Sequence, residues 1–391
     1  MINIAVITTT RAEYGLMKQI LYSFEKDKSF KLSLIVSGTH LLKEYGYTIN
    51  EIIEDKIPIE KKIKIIEKNG NAIDVNKTIS NAITKFSYLF LKNKYDYIFV
   101  DGDRYEMLGV CIAAVNSGVP IIHCGGGAKT EGAKDEYWRH AITKLSYIHL
   151  VTNDQYRERV IRMGENPENV FNVGSPGIEN IKNIKYKTKT DIEKRIKMKL
   201  TNDFALVTFH PSSNKRAIIK KEVRELIKAF NYFNKLQFII TKSNADAYGE
   251  IINEEFGRYV SKNIEKAVMV PSLGTTYYLS IMKICNFVIG NSSSGIIETP
   301  SFKKPTINIG DRQKGRLQAK NIINCKPCSL DIISSIERAL DFDFVNYCKT
   351  TKNPYGDGKT SKRIKEIIIK DSKKNIDRSI KVFYDTKNEK I

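Results

Sequence analysis

Six cysteines, five histidines and a single tryptophan are few for 391 residues. The cysteines follow no regular spacing. Cys325 and Cys328 are the one close pair, and no second pair or neighbouring histidine completes a zinc set around them. Free thiols in a reducing cytoplasm are therefore expected, with no metal and no disulfide framework. No apolar run approaches the roughly 20 residues that span a bilayer. The start, Met1-Ile2-Asn3-Ile4-Ala5-Val6-Ile7, is short and lacks a basic leader, so it reads as a first strand rather than a signal peptide. Acidic residues number 44 against 64 lysines and arginines, a formal charge of +20. That excess raises the question of nucleic acid, but the lysines are spread along helices and tails, and no basic-and-aromatic module appears. An anionic small substrate accounts for the functional part of the charge. Apolar residues make up 41% of the chain, which excludes disorder and suits two domains or one large one.

The strongest signal lies in Ile289 to Arg316. An apolar run ending at Phe287-Val288-Ile289 breaks into Gly290-Asn291-Ser292-Ser293-Ser294-Gly295, a polar turn of small residues that leaves backbone N–H groups and hydroxyls uncovered. It reads as strand, phosphate loop and helix, with the helix beginning near Ser294 and Glu298 in its first turn, placed to hold ribose hydroxyls. A second run, Pro305 to Ile309, ends in Gly310-Asp311-Arg312-Gln313-Lys314-Gly315-Arg316 and brings three cations to a neighbouring strand end. Together the two loops describe a diphosphate site. Each alone reads equally well as solvated surface.

Elsewhere, strands alternate with helices in the manner of a doubly wound α/β protein. Residues 2–8 form a strand ending in a turn that carries Arg11. Leu32 to Val36 leads to Ser37-Gly38-Thr39-His40. Tyr97 to Val100 ends in Asp101-Gly102-Asp103-Arg104, and Pro120 to His123 is followed by a glycine loop bearing Glu131 and Asp135. Asp103, Glu131 and Asp135 would then meet in one crevice, where clustered carboxylates suit proton transfer at carbon. Helix capping is the alternative for Glu131 or Asp135. In the second half, strands are expected at 204–209, 238–240, 268–270, 287–289 and 306–309. His210 lies at the end of the first, placed to donate to a phosphate oxygen or to protonate a leaving group. Gly174 to Gly177 is the expected hinge, residues 360–383 a basic terminal helix, and the last eight residues a frayed end.

The motifs TTTRAEYG, SGTH, GDRYEML, TEGAKDEYWRHAITKLSYIHL, VFNVGSPGIENI, SNAD and IGNSSSGIIETPS followed by TINIGDRQKGR resemble the hydrolysing UDP-N-acetylglucosamine 2-epimerases of sialic-acid synthesis over nearly the whole chain. The resemblance implies an α/β fold of two Rossmann-like domains in a glycosyltransferase-B arrangement, with the active site in the interdomain cleft. Residues 1–175 would form the first domain, 176–360 the nucleotide-binding domain, and 361–391 a helix and tail crossing back to the first. It implies a cytoplasmic homo-oligomer that needs no cofactor. Its reaction would be anti elimination of UDP to a 2-acetamidoglucal, then hydration to N-acetylmannosamine. Arg11, His40, Arg104, Asn244, Ser292, Ser293, Ser294, Gly295, Glu298 and Arg312 would line the UDP-sugar. Asp103 and Asp135 would be catalytic, with Glu131 as partner and His210 at the leaving group.

One loop departs from the family pattern. Where the family writes H-I-E/H-G-G-E from the position of His123, this chain has Gly125 and Ala128 in the third and sixth places. Neither can exchange a proton. Three readings follow: Glu131 or Asp135 does the work, in an epimerase of altered range such as one for a UDP-diacetamido-trideoxyhexose; diphosphate cleavage survives without inversion, giving a nucleotide-sugar hydrolase or lyase; or the chain is a binding subunit. A transferase would need an acceptor pocket that the sequence does not identify.

Overall fold

The computed structural model describes residues 1–67, 72–129, 135–212, 215–243, 248–271 and 273–385. It divides into two units, Met1–Lys182 with Tyr355–Ile391, and Asn183–Pro354. Among the described residues no helix is long and apolar enough to cross a membrane.

The first unit is built on seven parallel strands: β1 (Ile2–Thr8), β2 (Phe30–Ser37), β3 (Ile59–Ile63), β4 (Tyr97–Asp101), β5 (Ile121–Cys124), β6 (Ile148–Val151) and β7 (Val170–Asn172). Their order is β3-β2-β1-β4-β5-β6-β7. Parallel strands need crossover helices, which cover both faces of the sheet and bury its central strands almost through their length. Ile4, Ala5, Val6 and Ile7 are accordingly all fully buried. Alternation along β1 sends Ile4 and Val6 into one core with Phe24 and Phe99, and Ala5 and Ile7 into another with Phe86 and Val110. On the second face, helices Ala72–Lys92 and Tyr105–Asn116 pack so closely that a Cβ on Gly109 would lie 2.7 Å from the Ile79 carbonyl.

The order of strands reverses between β1 and β4, so the crevice outside their carboxyl ends is where ligands bind in such sheets. The second unit repeats the plan with β8 (Phe204–Thr208), β9 (Gln237–Thr241), β10 (Ala267–Val270), β11 (Phe287–Gly290), β12 (Thr306–Ile309) and β13 (Ile322–Cys325). Its order is β10-β9-β8-β11-β12-β13, with the reversal between β8 and β11. Phe230 stacks on Phe238 at 3.9 Å in its core.

Several boundaries differ from expectation, each for a physical reason. The chain leaves the first unit at Lys182 rather than at 175, because helix Pro176–Asn183 remains tied to it: Asn180 donates to the Gly15 carbonyl at 2.7 Å, and Glu179 accepts from the Ser361 N–H at 2.7 Å. Gly174, in the segment expected as a hinge, packs on Gly356, and the Ser175 N–H donates to the Tyr355 carbonyl at 2.6 Å. The terminal helix buries Ile364 and Ile368 in the first unit's core and stops at Ser372 rather than at 383. It stops there because the Arg378 guanidinium folds back to take the Lys374 carbonyl at 3.0 Å and the Asp371 carboxylate at 2.8 Å. Of the last eight residues, 386–391 lie outside the described residues.

Candidate active site

At the reversal in the first unit, Thr10 caps helix Arg11–Glu25 and Glu13 returns the bond, a capping box at the mouth of the crevice. One Glu13 oxygen accepts from the Thr9 N–H at 2.9 Å, the Thr9 hydroxyl at 2.8 Å and the Thr10 N–H at 3.2 Å. Its other oxygen is buried without a partner, as is one oxygen of Glu106. Burial and the neighbouring Glu106 push the Glu13 carboxyl up to about 8. Arg104, just ahead of helix Tyr105–Asn116, pairs with the other Glu106 oxygen at 2.7 Å. Arg11 opens its helix half-exposed and pairs with Glu51 at 2.9 Å.

The end of β4 carries the carboxylates. Asp103 lies at the surface of the crevice and is held by Arg139, whose Nε reaches Asp103 Oδ2 at 2.9 Å. The same guanidinium donates to the Ala128 carbonyl at 3.0 Å and to Glu136 at 2.9 Å. Arg139 is 3% exposed, so a buried fork fixes Asp103, the loop after β5 and the helix Asp135–Leu145 to one another. Asp135 is the first residue of that helix. Burial, and then the charge of Asp103, raise its carboxyl above the ordinary range. Glu131 lies outside the described residues.

The glycine loop after β5 follows from close packing. A Cβ on Gly127 would come within 2.6 Å of the Tyr156 carbonyl, at a φ of +80°. His123 is fully buried, donates from Nε2 to the Gly102 carbonyl at 2.8 Å, and is pushed down to about 3 by burial. It fastens the β4 and β5 loops together as a neutral ring.

In the second unit the reversal is closed by Asn291. Its side-chain oxygen accepts from the His210 N–H at 2.8 Å, and its amide donates to the His210 carbonyl at 2.8 Å. Gly290 passes so near β8 that a Cβ would lie 1.9 Å from the Thr208 carbonyl. Ser292 then caps the short helix Ser293–Ile297 by accepting from the Ser294 N–H at 3.4 Å. Ser294 Oγ lies 2.5 Å from the hydroxyl of Tyr278, which is also 3.3 Å from Thr208 Oγ1. Gly295 is buried in that helix. From the loop after β12, Arg312 donates at 3.2 Å and Gln313 at 2.9 Å to the Asn291 carbonyl. The serine loop and the basic loop therefore meet. Burial raises Glu298 to about 7.

Several expectations change in detail. His40 is fully buried, with Nε2 3.0 Å from Thr8 Oγ1 and Nδ1 2.8 Å from Thr48 Oγ1, and burial lowers it to about 4. It braces the turn rather than offering a ring nitrogen to a ligand. The phosphate-loop helix starts at Ser293 and lasts five residues, so Glu298 lies at its end rather than in its first turn. His210 is nearly buried, with Nδ1 3.4 Å from Ser243 Oγ. Asn244 lies outside the described residues. Sequence reasoning passed over Arg139, Glu106, Asn291 and Tyr278. The first three fall inside motifs already singled out, and only their burial reveals the role.

Residues 22–369 match the family model described as UDP-N-acetylglucosamine 2-epimerase. The chain is 41% identical to the GDP/UDP-N,N'-diacetylbacillosamine 2-epimerase (hydrolyzing) of Campylobacter jejuni, over 84% of this chain and 85% of that protein. It is 36% identical to polysialic acid biosynthesis protein P7 of Escherichia coli over 98% and 97%, and 33% identical to the UDP-N,N'-diacetylbacillosamine 2-epimerase (hydrolyzing) of Legionella pneumophila over 94% and 95%. Among solved structures, UDP-GlcNAc 2-epimerase from Neisseria meningitidis bound to UDP-GlcNAc shares the fold with a TM-score of 0.75 at 16% identity, covering 94% of this chain and all of that one. These matches span both units and both strand-end clusters, and the chain belongs to the UDP-N-acetylglucosamine 2-epimerase family.

Proposed function

We propose that this chain is a hydrolysing UDP-sugar 2-epimerase that eliminates UDP from UDP-N-acetylglucosamine and hydrates the resulting 2-acetamidoglucal to N-acetylmannosamine. The observation that carries the reading is Asp103, a carboxylate fixed by a buried arginine at a strand-order reversal. Removing a proton at carbon 2 needs a positioned base, and departure of a diphosphate needs cations and N–H donors. Asp103 serves as that base, with Asp135 and Glu131 as its carboxyl partners. Ser292, Ser293, Ser294 and Gly295 cradle the diphosphate with Arg312, and His210 donates to the leaving oxygen. Glu298 holds the ribose hydroxyls. Arg11, Arg104 and Asn244 complete the ligand shell.

A second sugar has specific support. The Campylobacter and Legionella relatives are named for N,N'-diacetylbacillosamine, and Gly125 and Ala128 take two larger side chains out of the loop after β5. A UDP-2,4-diacetamido-trideoxyhexose is therefore the alternative substrate. Enzymes of this kind work on cytoplasmic nucleotide sugars, and we place this one there as a homo-oligomer, to be checked by light scattering.

The test is proton NMR of the purified chain with each UDP-sugar in deuterated water. Release of UDP and of a 2-epimer carrying deuterium at carbon 2 is expected. UDP released with a non-inverted sugar would reduce the assignment to a hydrolase. Asp103→Asn is expected to lower turnover by roughly 10²–10⁴-fold while calorimetry gives an unchanged UDP affinity. Full activity in that variant would remove Asp103 from the chemistry.

A further inference from the structure

Four hydroxyls, those of Thr241, Thr208, Tyr278 and Ser294, form a line across the strand ends of the second unit, and the reading above uses only Ser294. β8 and β9 end in register at Thr208 and Thr241, whose Oγ1 atoms lie 2.9 Å apart. Tyr278, on helix Gly274–Ile284, brings its hydroxyl 3.3 Å from Thr208 Oγ1 and 2.5 Å from Ser294 Oγ. Ser294 follows β11, so the line crosses three neighbouring strands and ends in the serine loop. Thr208 is buried, whereas Ser294 is half-buried.

A hydroxyl has one hydrogen to give and two lone pairs to receive with, so a line of hydroxyls takes its direction from a group that can only accept. Here that group is the Val207 carbonyl, to which Thr241 Oγ1 donates at 3.2 Å. With its hydrogen committed there, Thr241 accepts from Thr208, and Thr208 in turn can only accept from Tyr278. The single Tyr278 hydrogen has two oxygens in reach, Thr208 at 3.3 Å and Ser294 at 2.5 Å, and the nearer is Ser294. The two directions have opposite consequences for the loop. A hydrogen turned to Thr208 obliges Ser294 to donate inward to the phenol, which leaves only lone pairs to face an anion. A hydrogen turned to Ser294 frees the Ser294 O–H to point away from the phenol. Ser292, whose Oγ is 3.3 Å from Ser294 Oγ, has a hydrogen of its own to give.

We infer that Tyr278 is a positioning residue for the diphosphate: its hydroxyl donates to Ser294 Oγ and so turns the Ser294 O–H outward, as a donor to a phosphate oxygen. The inference rests on the reading of the serine loop as a diphosphate cradle. A hydroxyl that accepts a short hydrogen bond is the stronger donor for it, because each bond in a chain polarises the next. A phosphate oxygen without a hydrogen takes only donors, so the order of hydrogens suits the loop to that ligand. The phenol keeps its hydrogen through the neutral range. Burial pushes it up to about 12, the facing groups Glu298 and Cys285 add to the rise, and the bonds to Ser294 and Thr208 oppose it. Phenylalanine in its place keeps the ring and loses the order.

The test is calorimetry on the full chain with UDP, and ligand-detected NMR with uridine, which lacks the diphosphate. Tyr278→Phe is expected to weaken UDP binding about tenfold, the scale of one hydrogen bond, and to leave uridine binding unchanged. In a Ser294→Ala chain the same change is expected to have no further effect, since the outward donor is already gone. An unchanged UDP affinity, equal losses for UDP and uridine, or a tenfold loss that persists in the Ser294→Ala chain would each overturn the assignment. Should Tyr278→Phe fail to fold, site-specific replacement of Tyr278 by 3,5-difluorotyrosine keeps the hydroxyl and makes the phenol more acidic. UDP affinity is then expected to fall away at a lower pH than in the wild type, because a phenolate cannot donate. A profile that coincides with the wild type's would overturn the assignment equally. A wild-type chain that binds UDP no more tightly than uridine overturns this inference together with the diphosphate site on which it rests.

Discussion

Single side chains in this molecule act through what they hold in place. Arg139 fixes Asp103, the Ala128 carbonyl and Glu136 with one planar fork, and lysine offers no such geometry. Arg139→Lys is expected to cost about 1–3 kcal/mol of stability and to lower kcat with little change in UDP affinity. Thermal unfolding and calorimetry would check this, and an unchanged kcat would show that Asp103 needs no brace. His40 gives a second prediction, with a pH dependence. Its folded pKa is lowered by burial to about 4 from an ordinary 6.5. Below pH 6.5 the unfolded chain therefore takes up a proton that the folded chain refuses, and stability falls as pH drops from 6.5 towards 4. At pH 5 the loss is about 2 kcal/mol. His40→Gln lacks it, so its urea midpoint should fall less than the wild type's between pH 7 and pH 5. Glu13 and Asp101 act in the opposite direction and are common to both proteins, so the comparison isolates the ring. Neither role could be read from the sequence. A buried arginine and a surface arginine are the same letter, and SGTH does not reveal that Thr8 and Thr48 already engage both nitrogens of His40.

At the level of elements, the sequence was informative wherever strands are covered on both faces. β1, β4, β8 and β11 each contain an unbroken apolar run of three or four residues because the sheets are buried on both sides there. Two edge strands gave no such signal. β3 reads Ile-Glu-Lys-Lys-Ile with its three central residues exposed, and β13 is a four-residue edge, so neither forms an apolar run. The serine loop was recognised by composition, yet its shape depends on Gly290. That residue has a φ of +144° and leaves no room for a Cβ beside the Thr208 carbonyl. Gly290→Ala is expected to cost about 3 kcal/mol or more, and to abolish UDP binding by forcing Asn291 away from β8. Gly295, in the same cradle but with its Cβ direction facing side chains of β11 and β12, supplies the comparison. Its Cβ would meet methyls of Thr306 at 3.1 Å and of Val288 at 3.9 Å, so Gly295→Ala should cost about 1 kcal/mol. Similar UDP affinities in the two variants would mean that the loop does not depend on the close strand approach.

For the molecule as a whole, the chain path puts the residues proposed to bind UDP and the carboxylates proposed for the chemistry in different units. The second unit is one continuous segment, Asn183–Pro354, with its own six-stranded sheet and aromatic core. The first unit is made of two segments and is completed only when Thr360–Ser372 buries Ile364 and Ile368 in it. Sequence alternation revealed two α/β halves. It could not place the return of the chain, since a basic amphipathic helix reads the same whichever sheet it covers. A fragment of residues 183–354 is therefore expected to fold alone and unfold cooperatively. It should bind UDP within about tenfold of the full chain, because the serine loop, Arg312 and Asn291 all lie inside it. It should release no UDP from any UDP-sugar, because Asp103, Asp135 and Arg139 lie outside it. Calorimetry on the fragment and NMR with substrate test both halves of the statement. A fragment that folds but does not bind UDP would mean that residues of the first unit hold the nucleotide. Turnover by the fragment would move the chemistry out of the carboxylate cluster of the first unit altogether.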